Sequence, residues 1–145
     1  MKPLSPKIVE KKYAELGLSQ EKLSLLHDYY CCFANLYGVL TVREAWDVFR
    51  HYEGIGLLRK KDFVAFSGVV QREAGLPYSV LELKEVYSGE ATDNPLDRLI
   101  VHNDLIRSGH IKYQLIYFTE EHQSGKPYYL PENKAGLLYY TEDRF

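Results

Sequence analysis

Residues 29–52 decide the fold, and they read YYCCFANLYGVLTVREAWDVFRHY. Two segments in which apolar residues recur at helical spacing meet in this stretch at Gly38-Val-Leu-Thr41. Glycine commonly ends a helix, and Thr41-Val-Arg-Glu44 matches a capping box, in which the threonine hydroxyl accepts from a backbone N–H three residues later. The stretch therefore predicts a helix over 20–37, capped by Ser19, and a second over 42–53. Residues 39–40 between them are expected to form a small β-bridge.

The adjacent cysteines of this stretch raise the question of a reactive or metal-binding centre. Neighbouring helical residues point about 100° apart, so Cys31 and Cys32 cannot readily hold one metal together. The sequence offers no second Cys pair or His pair to complete a zinc site. Cys32 falls on the apolar stripe of its helix and Cys31 on the flank, which favours core packing. Redox sensitivity and, less favoured, a nucleophilic role stay open as alternatives. The stripe consists of Leu25, Leu26, Tyr29, Cys32, Phe33 and Leu36.

Further elements extend the pattern in both directions. Before the central pair, Ser5-Pro6 is typical of a helix start and Gly17 of a helix end, which predicts a helix over 6–16. After it, helical periodicity predicts a helix over 59–74, in which Gly68 indicates close packing against a neighbouring helix. The period then changes to two, which predicts strands over 78–87 and 98–103, joined by a polar tip over 88–97. The spacing of apolar residues in 109–123 is ambiguous and favours helix over strand. A final short helix is expected within 131–145.

These elements predict an α+β fold. A helical N-terminal bundle is followed by a β-hairpin and then by a C-terminal helical or extended segment. The length of 145 residues suits a single domain, and we expect 1–145 to form one.

Composition limits the classes of function. The chain has 46% hydrophobic and 26% charged residues and a net charge of −2, so it carries no overall basic signature for nucleic acid. The first 77 residues carry +2 and the remainder −4. No apolar run approaches the ~20 residues that a membrane-spanning helix needs, and the N-terminus lacks the apolar region of a signal peptide. We expect a cytoplasmic protein without a membrane partner.

Catalytic and metal-binding motifs do not emerge from the sequence. The acidic residues form no recognisable catalytic pair, and phosphate-binding, hydrolase and zinc-protease motifs are absent from the chain. The sequence therefore predicts no catalytic residue, no metal site and no cofactor, and we expect a protein that is not an enzyme. The five histidines are scattered without ligand-like spacing: His27, His51, His102, His110 and His122.

The triplet Arg59-Lys60-Lys61 is the most informative charge cluster. It stands where a helix is expected to begin, a place where cations oppose the helix dipole, so local stability does not explain it. A basic helix start is well placed to meet phosphate groups. The alternative is three exposed basic residues beside Asp62 with no partner role.

The order helix, short bridge, helix, helix, strand, strand over about 20–103 resembles that of winged-helix domains. The resemblance implies that the helix over 59–74 is the recognition helix and that 88–97 is the wing tip. The tip departs from DNA-binding wings, which usually carry Lys or Arg, because it holds Glu90, Asp93 and Asp97 and no basic residue. The residues predicted to bind nucleic acid are Arg59, Lys60, Lys61 and Arg72, with Arg43 nearby.

Two kinds of partner follow from this resemblance, because winged helices also serve as protein-interaction modules. The first is duplex DNA, bound through the basic helix start. The second is a protein, with a second copy of the chain among the options, contacted through exposed tyrosines and the acidic C-terminal half. A further resemblance, carried by FANLYGVLTVREAWDVF (33–49) and KPYYLPENK (126–134), is to uncharacterised proteins of Gram-positive bacteria and their mobile elements.

Overall fold

The structure is a computed structural model that describes residues 3–83, 94–106 and 130–141. Within these ranges the α-helices are Pro6–Glu15 (α1), Gln20–Tyr37 (α2), Val42–Glu53 (α3), Lys60–Val70 (α4) and Lys134–Leu138 (α5). The strands are Val39–Thr41 (β1), Tyr78–Leu81 (β2) and Leu99–His102 (β3). Short 3₁₀ turns cover Pro95–Asp97, Asn103–Leu105 and Tyr139–Thr141.

Capping residues set the helix ends around the central turn as the sequence predicts. The Ser19 side chain accepts a hydrogen bond from the Lys22 amide at 3.2 Å and so begins α2. That helix ends at Gly38, whose φ of 79° is accessible mainly to glycine. The predicted capping box is present: the Glu44 amide donates to the Thr41 hydroxyl at 3.1 Å, and the Glu44 carboxylate accepts in return. The four residues 38–41 therefore reverse the direction of the chain between the end of α2 and the capped start of the helix over 42–53.

Three antiparallel strands form a small sheet in the order β1–β3–β2. The predicted bridge at 39–40 is a three-residue strand, with Val39 opposite Val101 and Thr41 opposite Leu99. Strands β2 and β3 pair as the predicted hairpin, with Val80 opposite Ile100. Helices at the N-terminus and strands in the middle confirm the predicted α+β class.

Helix α2 lies at the centre of the molecule, and here the predicted one-sided apolar stripe is wrong. Every residue from Tyr29 to Asn35 is buried, whereas Leu25 and Leu36 of the predicted stripe are only partly buried. Burial extends round the helix because α2 packs against α3, all three strands and the C-terminal segment 134–141. Contacts with residues so distant in sequence have no local signature.

Aromatic rings fill the core between α2, α3 and α4. The Tyr30 ring packs edge-on against Phe66 with centroids 4.9 Å apart, and its hydroxyl donates to the Phe63 carbonyl at 3.0 Å. Tyr29 packs edge-on against Phe49 at 4.8 Å. Edge-to-face pairs contribute beyond their buried area, and the Tyr30 hydrogen bond fixes α4 against α2.

Three predictions for the second half need correction. Helix α4 ends at Val70 rather than at residue 74, because the hydrogen bonds tighten to i→i−3 at Arg72 and Glu73 before the turn at Gly75, where φ is 81°. Strand β2 ends at Leu81, since Glu82 turns to an ion pair with Arg98. Gly68 accommodates the Arg98 guanidinium and not a neighbouring helix.

Some predictions fall on residues outside the described ranges. They are the second half of the strand over 78–87, most of the tip over 88–97, and the ambiguous segment 109–123. The predicted final short helix is present as α5. None of the described helices is both long and apolar enough to span a bilayer.

Candidate functional site

The basic triplet stands at the start of α4, as predicted, and its charge is partly balanced within the first turn. Arg59 occupies the N-cap position in an extended conformation, and its Nε donates to Asp62 Oδ2 at 3.1 Å. Asp62 supplies the acidic side chain that the helix dipole favours in this turn. Lys60 and Lys61 are exposed. The outward charge of the helix start is therefore carried mainly by the two lysines.

The outward side of α4 combines cations at its ends with small residues between them. At 100° per residue, Lys61, Ala65 and Gly68 share one side of α4, and Arg72 follows two residues after the helix ends at Val70. Val64 and Gly68 are partly exposed and Ala65 is exposed. The inward side is apolar and buried: it consists of Phe63, Phe66, Val69 and Val70, with Ser67.

A polar network ties the base of the hairpin to α4. Arg98, just before β3, donates through Nε to Glu82 Oε1 at 3.0 Å and through Nη1 to the Ser67 hydroxyl at 3.0 Å. Gln71 donates to the same Glu82 oxygen at 3.0 Å. Because Arg98 and Glu82 are 19% and 12% exposed, this pair is largely shielded from solvent. The hairpin and α4 are thus held in one orientation.

The other two predicted cations lie away from the triplet. Arg43 is on α3 and pairs with Asp97 at 3.2 Å, so it belongs to the hairpin base. Arg72 follows α4 at its far end, where its carbonyl accepts from the Leu4 amide at 2.8 Å. The structure therefore places Arg59, Lys60 and Lys61 together and separates them from Arg43 and Arg72.

Both cysteines are buried, as the packing prediction requires. Burial raises the pKa of the Cys32 thiol to about 12, which keeps it protonated and unreactive near neutral pH. The Cys31 thiol donates to the Thr141 carbonyl at 3.2 Å. Cys31 also lines a cavity of about 200 Å³ with His102, whose Nδ1 accepts from the Asp104 amide at 3.0 Å. A thiol directed at a carbonyl is a structural arrangement, unlike that of an activated nucleophile.

A second polar cluster was missed by the sequence reasoning. His27, which has no ligand-like spacing in the sequence, joins Tyr13 and Tyr78 beside a large pocket under α1. Its Nδ1 lies 2.9 Å from the Tyr78 hydroxyl, and its ring packs edge-on against Phe66. These residues come from four separate segments, and no spacing rule connects them. In the part of the chain that the structure describes, no group of three His, Cys, Asp or Glu side chains is arranged to hold a metal ion.

Comparisons with protein-family models, with curated proteins and with solved structures found no match for this chain. What the protein does has to be inferred from its own residues and their geometry.

Proposed function

We propose that this chain is a non-enzymatic binding module whose unit over about 20–103 is winged-helix-like and binds duplex DNA through the outward side of α4. The order α2, β1, α3, α4, β2, β3 supports the resemblance, with β2 and β3 as the hairpin that carries the wing. The network of Arg98 and Glu82 supports it as well, because it holds that hairpin against the helix proposed to contact DNA.

The outward side of α4 is the observation that carries the proposal. The exposed Ala65 in the middle of this side leaves room for the helix to approach base edges, whereas Gly68 is covered by the Arg98 guanidinium. Its cations stand at the two ends: Lys61 is exposed in the first turn, and Arg72 follows two residues after the helix ends at Val70. Positive charge at both ends favours contact with the phosphates of the DNA backbone.

Two of the proposed contacts compete with internal ion pairs. Arg43 is paired with Asp97, and Arg59 with Asp62, so a phosphate has to displace a carboxylate at each. We therefore expect weak binding with little sequence preference, with a dissociation constant of roughly micromolar or weaker at physiological salt.

Fluorescence anisotropy with a labelled DNA duplex tests the proposal. Binding should weaken steeply as salt is raised, because phosphate contacts release counterions. Substituting Arg59, Lys60 and Lys61 by Ala should abolish it. The matched control is Lys7, Lys11 and Lys12 to Ala, which removes the same charge from exposed positions of α1. Equal loss in both variants, or undetectable binding at low salt, would contradict the proposal.

A protein partner is the second candidate, and Ile55 favours it. This side chain is 95% exposed in the turn before α4, between Gly54 and Gly56 with φ of 76° and 111°. Of the exposed tyrosines that the alternative invokes, the described residues supply Tyr139, which is 55% exposed, whereas Tyr29, Tyr30, Tyr37 and Tyr78 are buried. Light scattering distinguishes this candidate: a dimer that Ile55→Ser dissociates and the triple Ala variant leaves intact favours it over DNA binding.

A cytoplasmic location is part of the proposed function. The two free, buried thiols support it, because cytosolic conditions keep cysteines reduced.

A further inference from the structure

The turn between α3 and α4 exposes an isoleucine at a narrow tip. Ile55 is 95% exposed, and Gly54 and Gly56 on either side have φ of 76° and 111°, values that residues with a side chain rarely adopt. Apart from chain neighbours, no atom of the described residues lies within 4 Å of the place where a Cβ would stand on either glycine. The tip therefore projects into solvent and carries a single side chain, and covering that side chain would supply hydrophobic free energy.

A pocket that suits such a tip lies elsewhere on the same chain. Helix α1, helix α2 and the turn after α4 enclose about 650 Å³ that opens to solvent on one side. The wall is largely aliphatic, with Val9, Leu18 and Leu23 among the lining residues. An aliphatic side chain that enters the pocket removes apolar surface from water on both partners. The pocket is separate from the outward side of α4 described above.

The tip and the pocket lie at opposite ends of α4. Ile55 precedes this helix, whereas Glu73 and Ala74 of the pocket lining follow it. The helix has 11 residues and is therefore ~16 Å long. Because of this separation, and because Ile55 is exposed, the tip does not occupy the pocket of its own chain. A second copy of the chain offers the same pocket without that restriction.

The charges beside the tip and the pocket are of opposite sign. The cations Arg59, Lys60 and Lys61 follow the tip by four to six residues and are exposed. The lining of the pocket includes the carboxylates of Glu10 and Glu73. Opposite charges steer two surfaces together and set their orientation, whereas exposed ion pairs add little affinity. We therefore expect the apolar tip to supply most of the affinity, so the triple Ala variant should leave the association largely intact.

We propose that Ile55 of one copy inserts into the pocket under α1 of a second copy, against Leu18 and Leu23. This inference rests on the protein-partner candidate described above, and it names that partner and the surface that it contacts. A single side chain on a narrow turn buries much less than the ~1,200 Å² of a stable interface. The association is therefore weak and reversible, with a dissociation constant on the order of 0.1 mM or weaker.

Two variants of the full chain isolate this contact. Ile55→Ser removes the tip and keeps the pocket, whereas Ala14→Arg, at an exposed lining position, obstructs the pocket and keeps the tip. Amide NMR spectra of ¹⁵N-labelled Ile55→Ser should shift at Leu18, Leu23 and Ala74 when unlabelled Ala14→Arg is added to millimolar concentration. Unlabelled Ile55→Ser, added instead, should leave these amides unchanged. No shifts with Ala14→Arg, or equal shifts with both additions, would overturn the proposal.

Light scattering of the concentrated wild type tests the same contact in the unmodified protein. The wild type should associate, and Ile55→Ser and Ala14→Arg should each weaken the association at least about tenfold. Two controls should not weaken it. Ile8→Ser removes an isoleucine that is 46% exposed on α1, and Ser24→Arg adds the same charge at an exposed position of α2 outside the pocket lining.

The outcomes separate this inference from the proposals on which it builds. If Ile55→Ser weakens the association and Ala14→Arg does not, the tip contacts a protein surface other than the pocket: the protein-partner candidate then stands and this inference fails. A wild type that stays monomeric at millimolar concentration also overturns the inference. DNA binding is measured independently by the anisotropy experiment.

Discussion

The guanidinium of Arg98 lies against Gly68, where an added Cβ would stand 3.2 Å from its Nη1 atom. Gly68 is in the middle of α4, where glycine costs about 1 kcal/mol relative to alanine. The space that glycine leaves is used by an arginine from the hairpin base, which bonds Ser67 on α4 and Glu82 beyond β2. A locally unfavourable residue thus allows a long-range polar connection.

Enlarging residue 68 is expected to break this connection. Gly68→Leu should lower the free energy of unfolding by about 2 kcal/mol, because it displaces Arg98 and leaves Glu82, only 12% exposed, without that ion pair. Gly68→Ala should stay within about 1 kcal/mol of the wild type, since improved helix propensity offsets the small shift of Arg98. Ala65→Leu, on the same side one turn earlier, is the control and should change stability by less than about 0.5 kcal/mol. Urea denaturation followed by Trp46 fluorescence measures all three, and equal losses at 65 and 68 would contradict the prediction.

The pair of Arg98 and Glu82 should show strong coupling. We expect Arg98→Met and Glu82→Met each to cost about 2 kcal/mol, a figure reduced for their partial exposure, because each leaves a shielded charge without its partner. The double variant should lose less free energy of unfolding than the sum of the two single losses, by at least about 1 kcal/mol. A double-mutant cycle from urea denaturation measures the difference, and additive losses would show that the pair is not energetically coupled.

The capping box at Thr41 makes a testable contribution to α3. Thr41→Ala should lower the free energy of unfolding by about 1 kcal/mol, because the Glu44 amide loses its acceptor. Glu44→Gln is the control: glutamine also completes a capping box, so the loss should be much smaller. Chemical denaturation compares the stability losses of the two variants. A larger loss in Glu44→Gln than in Thr41→Ala would be inconsistent with a cap centred on the Thr41 hydroxyl.

Buried tyrosines predict a loss of stability at alkaline pH. Burial raises the pKa of Tyr30 and Tyr78 above the ordinary value of 10.0, so above pH 10 the unfolded chain releases protons that the native state retains. The unfolded state then binds fewer protons, and each group lowers the free energy of unfolding by about 1.4 kcal/mol per pH unit until its folded pKa is reached. The stabilisation is fully present below pH 10.

Urea denaturation followed by far-ultraviolet circular dichroism at several pH values above 10 measures this slope. Tyr30→Phe should reduce this slope by the contribution of one proton. The variant should also have a lower free energy of unfolding below pH 10, because it loses the hydrogen bond to the Phe63 carbonyl. A variant and a wild type with identical slopes would show that Tyr30 does not retain its proton.

The local parts of the fold were predictable from sequence. The capping hydrogen bonds at Ser19, Gly38 and Thr41 join residues that are at most four positions apart. Capping chemistry alone therefore located the ends of α2 and the start of α3. The exposed lysines at the start of α4 were predictable for the same reason, since a helix start follows from local signals.

Non-local contacts were not predictable. The partner of Gly68 is 30 residues away at Arg98, and Asp97 pairs with Arg43 across 54 residues. The burial of Asn35 and Cys31 depends on a segment more than 100 residues further along the chain. The pocket group at Tyr13 and His27 is similar, because its members share no helix and no regular spacing.

The C-terminal segment 130–141 has a consequence for how the protein is made. Asn35 donates to the Tyr140 carbonyl at 2.7 Å across 105 residues of sequence, and Leu137 is fully buried in the main core. A ribosome therefore synthesises α1 to α4 and the sheet before the residues that cover α2. Contacts of such long range form slowly, so we expect the contacts that cover Cys31 and Asn35 to be among the last of the core to form.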